Sequence, residues 1–511
     1  MVYLLGAGPG DPELLTLRAR RRLAEADLVL YDALVHPDIL AHARADAEVV
    51  FVGKRAGRPS ERQARIDERM GDAARAGRVV ARLKGGDPYL FGRGSEEAEL
   101  LAREAIPFEV VPGVSSPAAA SAFAGVSLTH RRLSSSVLYL TATESVEKDR
   151  SSHDWARLAT GPETLVIFMG MRKLEALMKL LVEHGRPPTP PALAVQWASV
   201  PRQRVVEGTV ADLASRARDA GLGLPSLVIV GEVVELRRTL SWYEHKPLFG
   251  KRVLVTRPAH QNEELARMLR DEGADPVRIP AIRIAPPADA GPLRAAVADL
   301  GVYRWVVFTS ANGVEGFFRE VAEQGLDARA LGAARICAIG PATAGALARH
   351  GLSADVVPEE FRGEGAADAV LEAERDPATA RVLLPRAEVA REALPERLRA
   401  AGATVDVVPT YRTEGPTRED GIRIRDHVHR GLVDVLTFTS PSTVREVANA
   451  LGEHASVIRT GFVVACIGPV TAEAARQRGW TVHVAAERYT AAGLRDALVA
   501  HFRRPVNGER A

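Results

Sequence analysis

The sequence predicts an α/β protein of several domains, and three observations lead to this prediction. Its 511 residues exceed what one hydrophobic core supports, so we expect two to four domains. Short apolar strands alternate with helical stretches over residues 1–243, which is typical of α/β architecture. From residue 251 onward, three motifs recur about 129 residues later in the chain, which indicates two copies of one structural unit.

Composition narrows the class of protein further. An apolar content of 46% and a charged content of 26% are those of a globular protein, and no apolar run reaches membrane-spanning length. The net charge of +2 argues against a general nucleic-acid binder. Cys337 and Cys466 both lie in apolar strands, so we expect buried thiols and neither a disulfide framework nor a metal site. Since a strand opens the chain where a signal peptide would stand, we expect a cytoplasmic protein without a membrane partner.

The first strand, residues 2–5, runs into the glycine-rich turn 6–12. A dinucleotide-binding turn would need a third glycine at position 11, where Asp11 would repel a pyrophosphate. Pro9 also removes one backbone N–H from the loop that would hold the anion. We therefore expect a ligand with a positive centre, an adenosine and no phosphate.

Two more features follow later strands of the same α/β pattern. Asp32 ends the strand 28–32, and a carboxylate at the carboxyl end of a strand is where α/β sheets place function. The alternative for Asp32 is a turn or helix-capping acid. The run Gly85-Gly86-Asp87-Pro88 follows the next strand, and paired glycines let a ligand lie against bare backbone. The alternative for this run is a tight surface turn.

Both glycine turns, in this order, resemble those of the uroporphyrinogen-III C-methyltransferase family. The resemblance extends to residue 243 through six further motifs, at 31–35, 53–55, 110–116, 128–131, 168–170 and 225–234. It implies a tetrapyrrole-methylase-like module with lobes of about 1–112 and 113–243. It also implies S-adenosylmethionine as the cofactor and a homodimer formed through this module.

The same resemblance implies roles for single residues. It gives Asp32 the role of base and Lys54 that of proton donor, although Lys54 could equally be a surface residue or hold a substrate carboxylate. Met169 has a second interpretation as a core residue. The implied cofactor contacts are Pro9, Gly85, Gly86, Asp87, Leu90, Ser115, Ser116, Met169 and Ala198.

Residues 244–250 read as a short linker before the repeated half of the chain. The repeated motifs lie at 252–257 and 381–386, at 306–310 and 435–440, and at 339–344 and 467–472. A nearly constant offset predicts two doubly wound, flavodoxin-like domains that face each other across a cleft. We expect Thr343, after the first Gly-Pro turn, to cap the helix that follows.

The pair of copies resembles uroporphyrinogen-III synthase. The motifs that carry this resemblance are residues 254–258, 308–313, 409–413, 438–442 and 467–469. It implies one domain from 251–284 plus 413–503, a second from 285–412, and a tail of 504–511. Tyr411 matches a tyrosine that assists departure of the substrate hydroxyl, although a packing role is an equal alternative. Ser310, Asn312, Ser440 and Thr471 are expected to bind the substrate.

Together the two resemblances predict a bifunctional enzyme of tetrapyrrole biosynthesis. It would cyclise hydroxymethylbilane to uroporphyrinogen III with inversion of ring D, and then methylate carbons 2 and 7 to give precorrin-2. Two alternatives stay open at this point. The first module could methylate a later corrin intermediate, or the second could be a non-catalytic, bilobal ligand-sensing domain.

Overall fold

The computed structural model describes residues 1–53, 63–143, 153–453 and 461–503. The chain forms two compact units, of which the first is Met1–Gly250 with Glu272–Asp275 and the second is the remainder from Lys251. Lys54 and the predicted tail 504–511 lie outside the described residues. Among the described helices none is long and apolar enough to cross a membrane.

The first lobe of the first unit is a five-stranded parallel sheet with helices on both faces. The strand order is β3-β2-β4-β1-β5. Because every pair is parallel, the loops that follow these strands all leave from one edge of the sheet. The elements are β1 (Val2–Gly6), α1 (Leu17–Ala24), β2 (Leu28–Tyr31), α2 (Pro37–Leu40), β3 (Glu48–Phe51), α3 (Gln63–Arg75), β4 (Val80–Lys84), α4 (Gly94–Arg103), β5 (Phe108–Val111) and α5 (Ser116–Ala124).

The central strand β4 carries two buried cations against one buried carboxylate. Glu97 of α4 accepts hydrogen bonds from Lys84 Nζ through both carboxylate oxygens at 2.9 Å, and from Arg82 Nε at 3.1 Å. The Glu97 side chain is fully buried, and burial lowers the pKa of Lys84. This cluster joins helix α4 to the sheet directly below the Gly85-Gly86 turn.

The second lobe is a mixed sheet of order β6-β7-β10-β8-β9. Strands β6 and β7 are parallel, and the remaining pairs are antiparallel. Apolar side chains are buried on both faces of this sheet. Its elements are β6 (Val137–Thr141), α6 (Trp155–Thr160), β7 (Thr164–Phe168), α7 (Leu174–Glu183), β8 (Pro191–Gln196), β9 (Arg204–Thr209), α8 (Leu213–Asp219), β10 (Ser226–Val230) and α9 (Arg237–Leu240).

The second unit contains two five-stranded sheets, of order β12-β11-β18-β19-β20 and β13-β17-β16-β14-β15. The chain makes the start of the first sheet, then all of the second, and returns to complete the first. The elements are β11 (Arg252–Val255), α10 (Ala259–Asp271), β12 (Asp275–Arg278), β13 (Arg283–Ala285), α11 (Gly291–Ala298), β14 (Trp305–Phe308), α12 (Ala311–Glu323), β15 (Arg335–Ala338), α13 (Pro341–Arg349), α14 (Gly363–Ala373), β16 (Arg381–Ala387), α15 (Ala393–Ala400), β17 (Thr404–Glu414), α16 (Arg418–His429), β18 (Val435–Phe438), α17 (Pro441–Leu451), β19 (Val463–Cys466), α18 (Pro469–Gln477), β20 (Val484–Ala485) and α19 (Ala491–Phe502).

The internal repeat of the sequence is a repeat of topology. Strands β11, β12, β18 and β19 of the first sheet correspond to β16, β17, β14 and β15 of the second, in the same spatial order. This is the flavodoxin-like order, so the predicted fold class is confirmed. Cys337 lies in β15 and Cys466 in β19, and burial raises the pKa of each thiol to about 12.

One predicted helix cap is wrong. The residue that caps α13 is Gly340, and Thr343 is buried within the first turn of the helix. Pro341 explains why the cap is Gly340 and not Thr343. The restricted φ and missing N–H of proline suit the first position of a helix, so the helix begins at Pro341, directly after the glycine.

The buried charge cluster yields a prediction about stability. Replacing Glu97 by Ala leaves Arg82 and Lys84 buried without their shared carboxylate, so the free energy of unfolding should fall by about 3–5 kcal/mol. Urea denaturation of the full chain measures this change. The matched control is Glu96→Ala, whose exposed ion pair with Arg93 should contribute less than about 1 kcal/mol. Equal losses in the two variants would contradict the prediction.

Candidate functional site

The two glycine turns predicted to bind a ligand are hydrogen-bonded to each other. The Gly8 N–H donates to the Gly86 carbonyl at 3.2 Å, and the Gly86 N–H donates to the Gly8 carbonyl at 2.6 Å. Next to this pair, the Ala7 N–H donates to the Lys84 carbonyl at 2.7 Å. The turns after β1 and β4 therefore form one structure at the carboxyl edge of the first sheet.

Three glycines at this edge pack backbone against backbone. A Cβ atom on Gly6 would lie 2.8 Å from the Gly86 carbonyl oxygen and would overlap the backbone of Gly113. A Cβ atom on Gly113 would overlap the same carbonyl oxygen. Gly86 also has a φ of +69°, a backbone conformation that residues with a Cβ atom rarely adopt. The loops after β1, β4 and β5 thus depend on glycine for their close approach.

Two carboxylates are held at the same edge by backbone N–H groups. The Asp32 carboxylate accepts a hydrogen bond from Leu34 N at 3.0 Å, which is the geometry of a turn acid, the alternative interpretation of this residue. It also accepts a hydrogen bond from Gly85 N at 3.3 Å and so contacts the second glycine turn. Asp87 accepts from Gly113 N at 3.0 Å. Within the described residues neither carboxylate forms an ion pair. Their negative charge favours a cationic ligand group over a phosphate.

The second lobe contributes the turn after β7 to this region. Met169 lies in this turn with a φ of +54° and is 45% exposed, so the structure excludes its interpretation as a core residue. The rings of Phe91 and Phe168 are 4.6 Å apart. This contact brings the loop that carries Leu90 next to the turn that carries Met169.

The turn after β8 lies beside the first glycine turn. Ser199, with a φ of +70°, accepts a hydrogen bond on Oγ from Asp11 N at 3.2 Å. A Cβ atom on Gly10 would lie 3.6 Å from the Ala198 carbonyl oxygen. Ala198 and Pro9 therefore belong to contacting loops. Ser199 was not predicted from the sequence, in which the stretch 194–199 departs from the motif usual in the family that the first module resembles.

Ser115 and Ser116 begin helix α5 next to Gly86. Ser115 is the residue before the helix, and its side chain makes no capping hydrogen bond. A Cβ atom on Gly86 would lie 3.3 Å from Ser116 Oγ. The loops that carry the predicted cofactor residues thus contact one another, although the cofactor roles of the individual residues stay predictions.

In the second unit, the hydroxyl of Tyr411 lies within a polar group of side chains. Tyr411 is only 9% exposed, and its oxygen is 3.1 Å from Ser310 Oγ. Burial raises the pKa of Tyr411, and hydrogen bonds to Ser310 and Asn312 oppose this shift. Thr410 is an extra residue in β17 at the point where its register against β16 shifts. Such a β-bulge changes the direction of the side chain that follows it, here that of Tyr411. Tyr411 therefore has polar contacts beyond a packing role.

Of the predicted substrate-binding residues, Ser310 and Ser440 cap helices and Thr471 is buried. Ser310 caps α12 by accepting from Gly313 N at 3.0 Å. Ser440 caps α17 in a reciprocal capping box with Thr443. Thr471 is buried in the first turn of α18. Their substrate-binding roles stay predictions.

An arginine that the sequence analysis did not single out is connected to this polar group. Arg257 Nη2 donates to Gln261 at 3.3 Å, and Gln261 Nε2 donates to Asn312 Oδ1 at 2.9 Å. Among the described residues Arg257 Nε and Nη1 have no hydrogen-bond acceptor, and Nη1 lies 3.8 Å from a carboxylate oxygen of the exposed Glu264; burial lowers the pKa of this guanidinium. A carboxylate ligand would satisfy such donors. A signal for Arg257 was present in the sequence, because the repeated motifs 252–257 and 381–386 both end in an arginine, Arg257 in one copy and Arg386 in the other.

Comparison with known proteins assigns a family to each half of the chain. The model of the Tetrapyrrole (Corrin/Porphyrin) Methylases matches residues 1–214, and that of Uroporphyrinogen-III synthase HemD matches residues 263–496. These matches identify a tetrapyrrole methylase in the first half of the chain and a uroporphyrinogen-III synthase in the second.

Individual relatives extend this assignment over the whole chain. The porphyrin biosynthesis protein HemD of Ruminiclostridium josui is 36% identical over 98% of this chain and 97% of its own length. The uroporphyrinogen-III C-methyltransferase of Bacillus subtilis is 38% identical over 65% of this chain and 68% of its own. The Thermus thermophilus uroporphyrin-III C-methyl transferase, solved in complex with S-adenyl homocysteine, is 41% identical over 46% of this chain and 99% of its own, with a TM-score of 0.39.

The chain belongs to the tetrapyrrole methylase family in its first half and to the uroporphyrinogen-III synthase family in its second. It is a bifunctional enzyme of tetrapyrrole biosynthesis. Both resemblances found in the sequence are thereby confirmed.

The glycine turn yields a prediction about cofactor binding. Gly86→Val should abolish measurable S-adenosylmethionine binding in calorimetry, because a β-branched side chain at a positive φ would displace the turn and reach Ser116. Gly77→Val is the matched control. Gly77 has a similar φ of +82°, but a Cβ atom there meets nothing within 4 Å. Wild-type affinity in a folded Gly86→Val protein would mean that the turn has no part in binding.

Proposed function

We propose that this chain cyclises hydroxymethylbilane to uroporphyrinogen III and then methylates the product at carbons 2 and 7 to give precorrin-2. The observation that carries the methyltransferase part is the hydrogen-bonded pair of glycine turns with Asp32 and Asp87 at their side. We further expect a homodimer formed through the methyltransferase module and a cytoplasmic location.

The residues of the first site fit a sulfonium cofactor. S-Adenosylmethionine supplies an electrophilic methyl group, and the site must hold that group in line with a pyrrole carbon. The glycine turns offer backbone without side chains, while Asp32 and Asp87 provide negative charge that favours the cation. Pro9 and Asp11 make the first turn unsuited to a pyrophosphate, which agrees with a cofactor that has none.

Asp32 is the proposed base of the methylation. After methyl transfer the substituted macrocycle must lose a proton, and a carboxylate near the acceptor carbon can take it. Each oxygen of Asp32 accepts one backbone N–H bond, from Leu34 or Gly85, so each keeps a lone pair for the proton. The same two bonds fix the direction of the carboxylate.

The synthase half is proposed to control the conformation of its substrate. Loss of the hydroxyl from hydroxymethylbilane gives a cationic azafulvene, which must close with its last ring inverted while water is excluded. Tyr411 would donate a proton to the departing hydroxyl. Ser310, which hydrogen-bonds Tyr411, and the nearby Asn312 would orient its O–H group.

A coupled assay from hydroxymethylbilane with labelled S-adenosylmethionine tests the proposal. We expect type III uroporphyrinogen and a product that carries two labelled methyl groups. If only the type I isomer forms, the second half is a ligand-sensing domain and not a synthase. If supplied uroporphyrinogen III accepts no label, a later corrin intermediate becomes the better candidate substrate.

Asp32→Asn should stop the coupled reaction at uroporphyrinogen III. The amide cannot accept the proton, while cofactor binding and isomer formation should be unchanged. Asp27→Asn is the control, since Asp27 precedes the same strand β2 at its opposite end and also accepts a backbone N–H, from Val79. Methyl transfer at nearly the wild-type rate in Asp32→Asn would remove this residue from the role of base.

Tyr411→Phe should slow ring closure by about tenfold, which corresponds to a lost hydrogen bond of about 1.4 kcal/mol, and should not abolish it. The measurement is the initial rate together with the ratio of type III to type I product. Tyr303→Phe serves as the control, because Tyr303 is also buried but hydrogen-bonds Asp406. Formation of type I alone by a folded Tyr411→Phe protein would instead make Tyr411 an obligatory acid.

A further inference from the structure

Phe361 and Tyr489 occupy equivalent positions in the two domains of the synthase half and share an unusual backbone. The Arg362 N–H donates to the Glu360 carbonyl at 2.7 Å, which closes a γ-turn around Phe361. The Thr490 N–H donates to the Arg488 carbonyl at 2.8 Å around Tyr489 in the same way. The two domains therefore present one aromatic ring each on an identical three-residue turn.

Glycines fix both rings in the same relation to a neighbouring turn. A Cβ atom on Gly340 would lie 3.2 Å from Phe361 Cγ, and one on Gly468 would lie 2.8 Å from Tyr489 Cδ1. Each ring thus covers the glycine of a Gly-Pro turn, and any side chain at that glycine would displace it. Both side chains are nevertheless partly open to solvent, since Phe361 is 42% exposed and Tyr489 is 47% exposed.

The two rings lie at the carboxyl edges of their sheets, and these edges face each other. Gly340 follows β15 and Gly468 follows β19, both parallel to their neighbours. The hydrogen bond from Gln261 to Asn312 joins the first turns of α10 and α12, which leave the same two edges.

The chemistry of these rings suits flat, electron-rich heterocycles. An exposed aromatic side chain with a fixed backbone can stack on, or contact edge-to-face, another aromatic ring at little entropic cost. Hydroxymethylbilane presents four pyrrole rings in a flexible chain. Closure with inversion of one ring requires that its terminal rings be held in a set relation.

We infer that Phe361 and Tyr489 are a pair of ring-binding platforms, one in each domain, that hold pyrrole rings of the linear tetrapyrrole during closure. This inference rests on the proposed synthase function. The platforms position the substrate and take part in no bond-making step. Their loss should therefore weaken substrate binding and reduce the control over the isomer formed.

The test compares ring removal with ring retention in the full chain. Phe361→Ala and Tyr489→Ala should each raise the KM for hydroxymethylbilane about two- to tenfold, the effect expected of one lost ring–ring contact, and should increase the fraction of type I product. Phe361→Tyr and Tyr489→Phe keep a ring and should stay near wild type. The affinity for uroporphyrin III, measured by its fluorescence, should fall with the alanine variants only.

Two results would overturn the inference while leaving the synthase function in place. Alanine variants with wild-type KM, isomer ratio and uroporphyrin III affinity would show that the rings do not contact the substrate. Ring-retaining variants as impaired as the alanine variants would show a packing role on the Gly-Pro turns. If the wild-type chain forms only type I product, the proposed function fails instead, and the uroporphyrin III affinities still decide whether the rings bind a tetrapyrrole. Methylation of supplied uroporphyrinogen III should be unchanged in all four variants.

Discussion

Parallel strands bring the loops that follow them to one edge of the sheet, and both candidate sites of this chain depend on that constraint. In the first lobe the turns after β1, β2, β4 and β5 meet there, with Gly8 and Gly86 hydrogen-bonded to each other. In the synthase half, Arg257 and Ser310 also follow parallel strands. Residues far apart in sequence therefore share a site without any loop having to be long.

Two features set the chemistry of the methyltransferase site: its glycine loops lack side chains, and carboxylates lie beside them. Close packing of Gly6, Gly86 and Gly113 excludes side chains, so the edge consists of backbone and of carboxylates held by backbone N–H groups. A phosphate would need free N–H donors and positive charge. The proposed sulfonium cofactor needs neither, and the negative charge of Asp32 and Asp87 would favour it, so a turn similar to a dinucleotide-binding loop could serve another cofactor.

Duplication gave the synthase half two similar domains, and the candidate site uses the differences between them. Helix caps at Ser310 and Ser440 are common to both copies, because each copy needs the same strand-to-helix turn. Tyr411, however, has Ile282 as its counterpart in the other copy. Tyr411 lies in β17 of the second sheet and Arg257 follows β11 of the first, so the polar group that contains them is asymmetric.

The sequence by itself determined the fold class, the glycine turns, Asp32 at its strand end and the duplication, because each is a local pattern or a repeat of one. Tertiary structure alone decided which residues contact one another: it exposed Met169, buried Glu97 against Lys84, and connected Arg257 to the second domain. It also made Gly340, and not Thr343, the residue that caps α13. Such contacts join residues whose separation in the chain carries no periodic signal, so only the packing of complete sheets and helices specifies them.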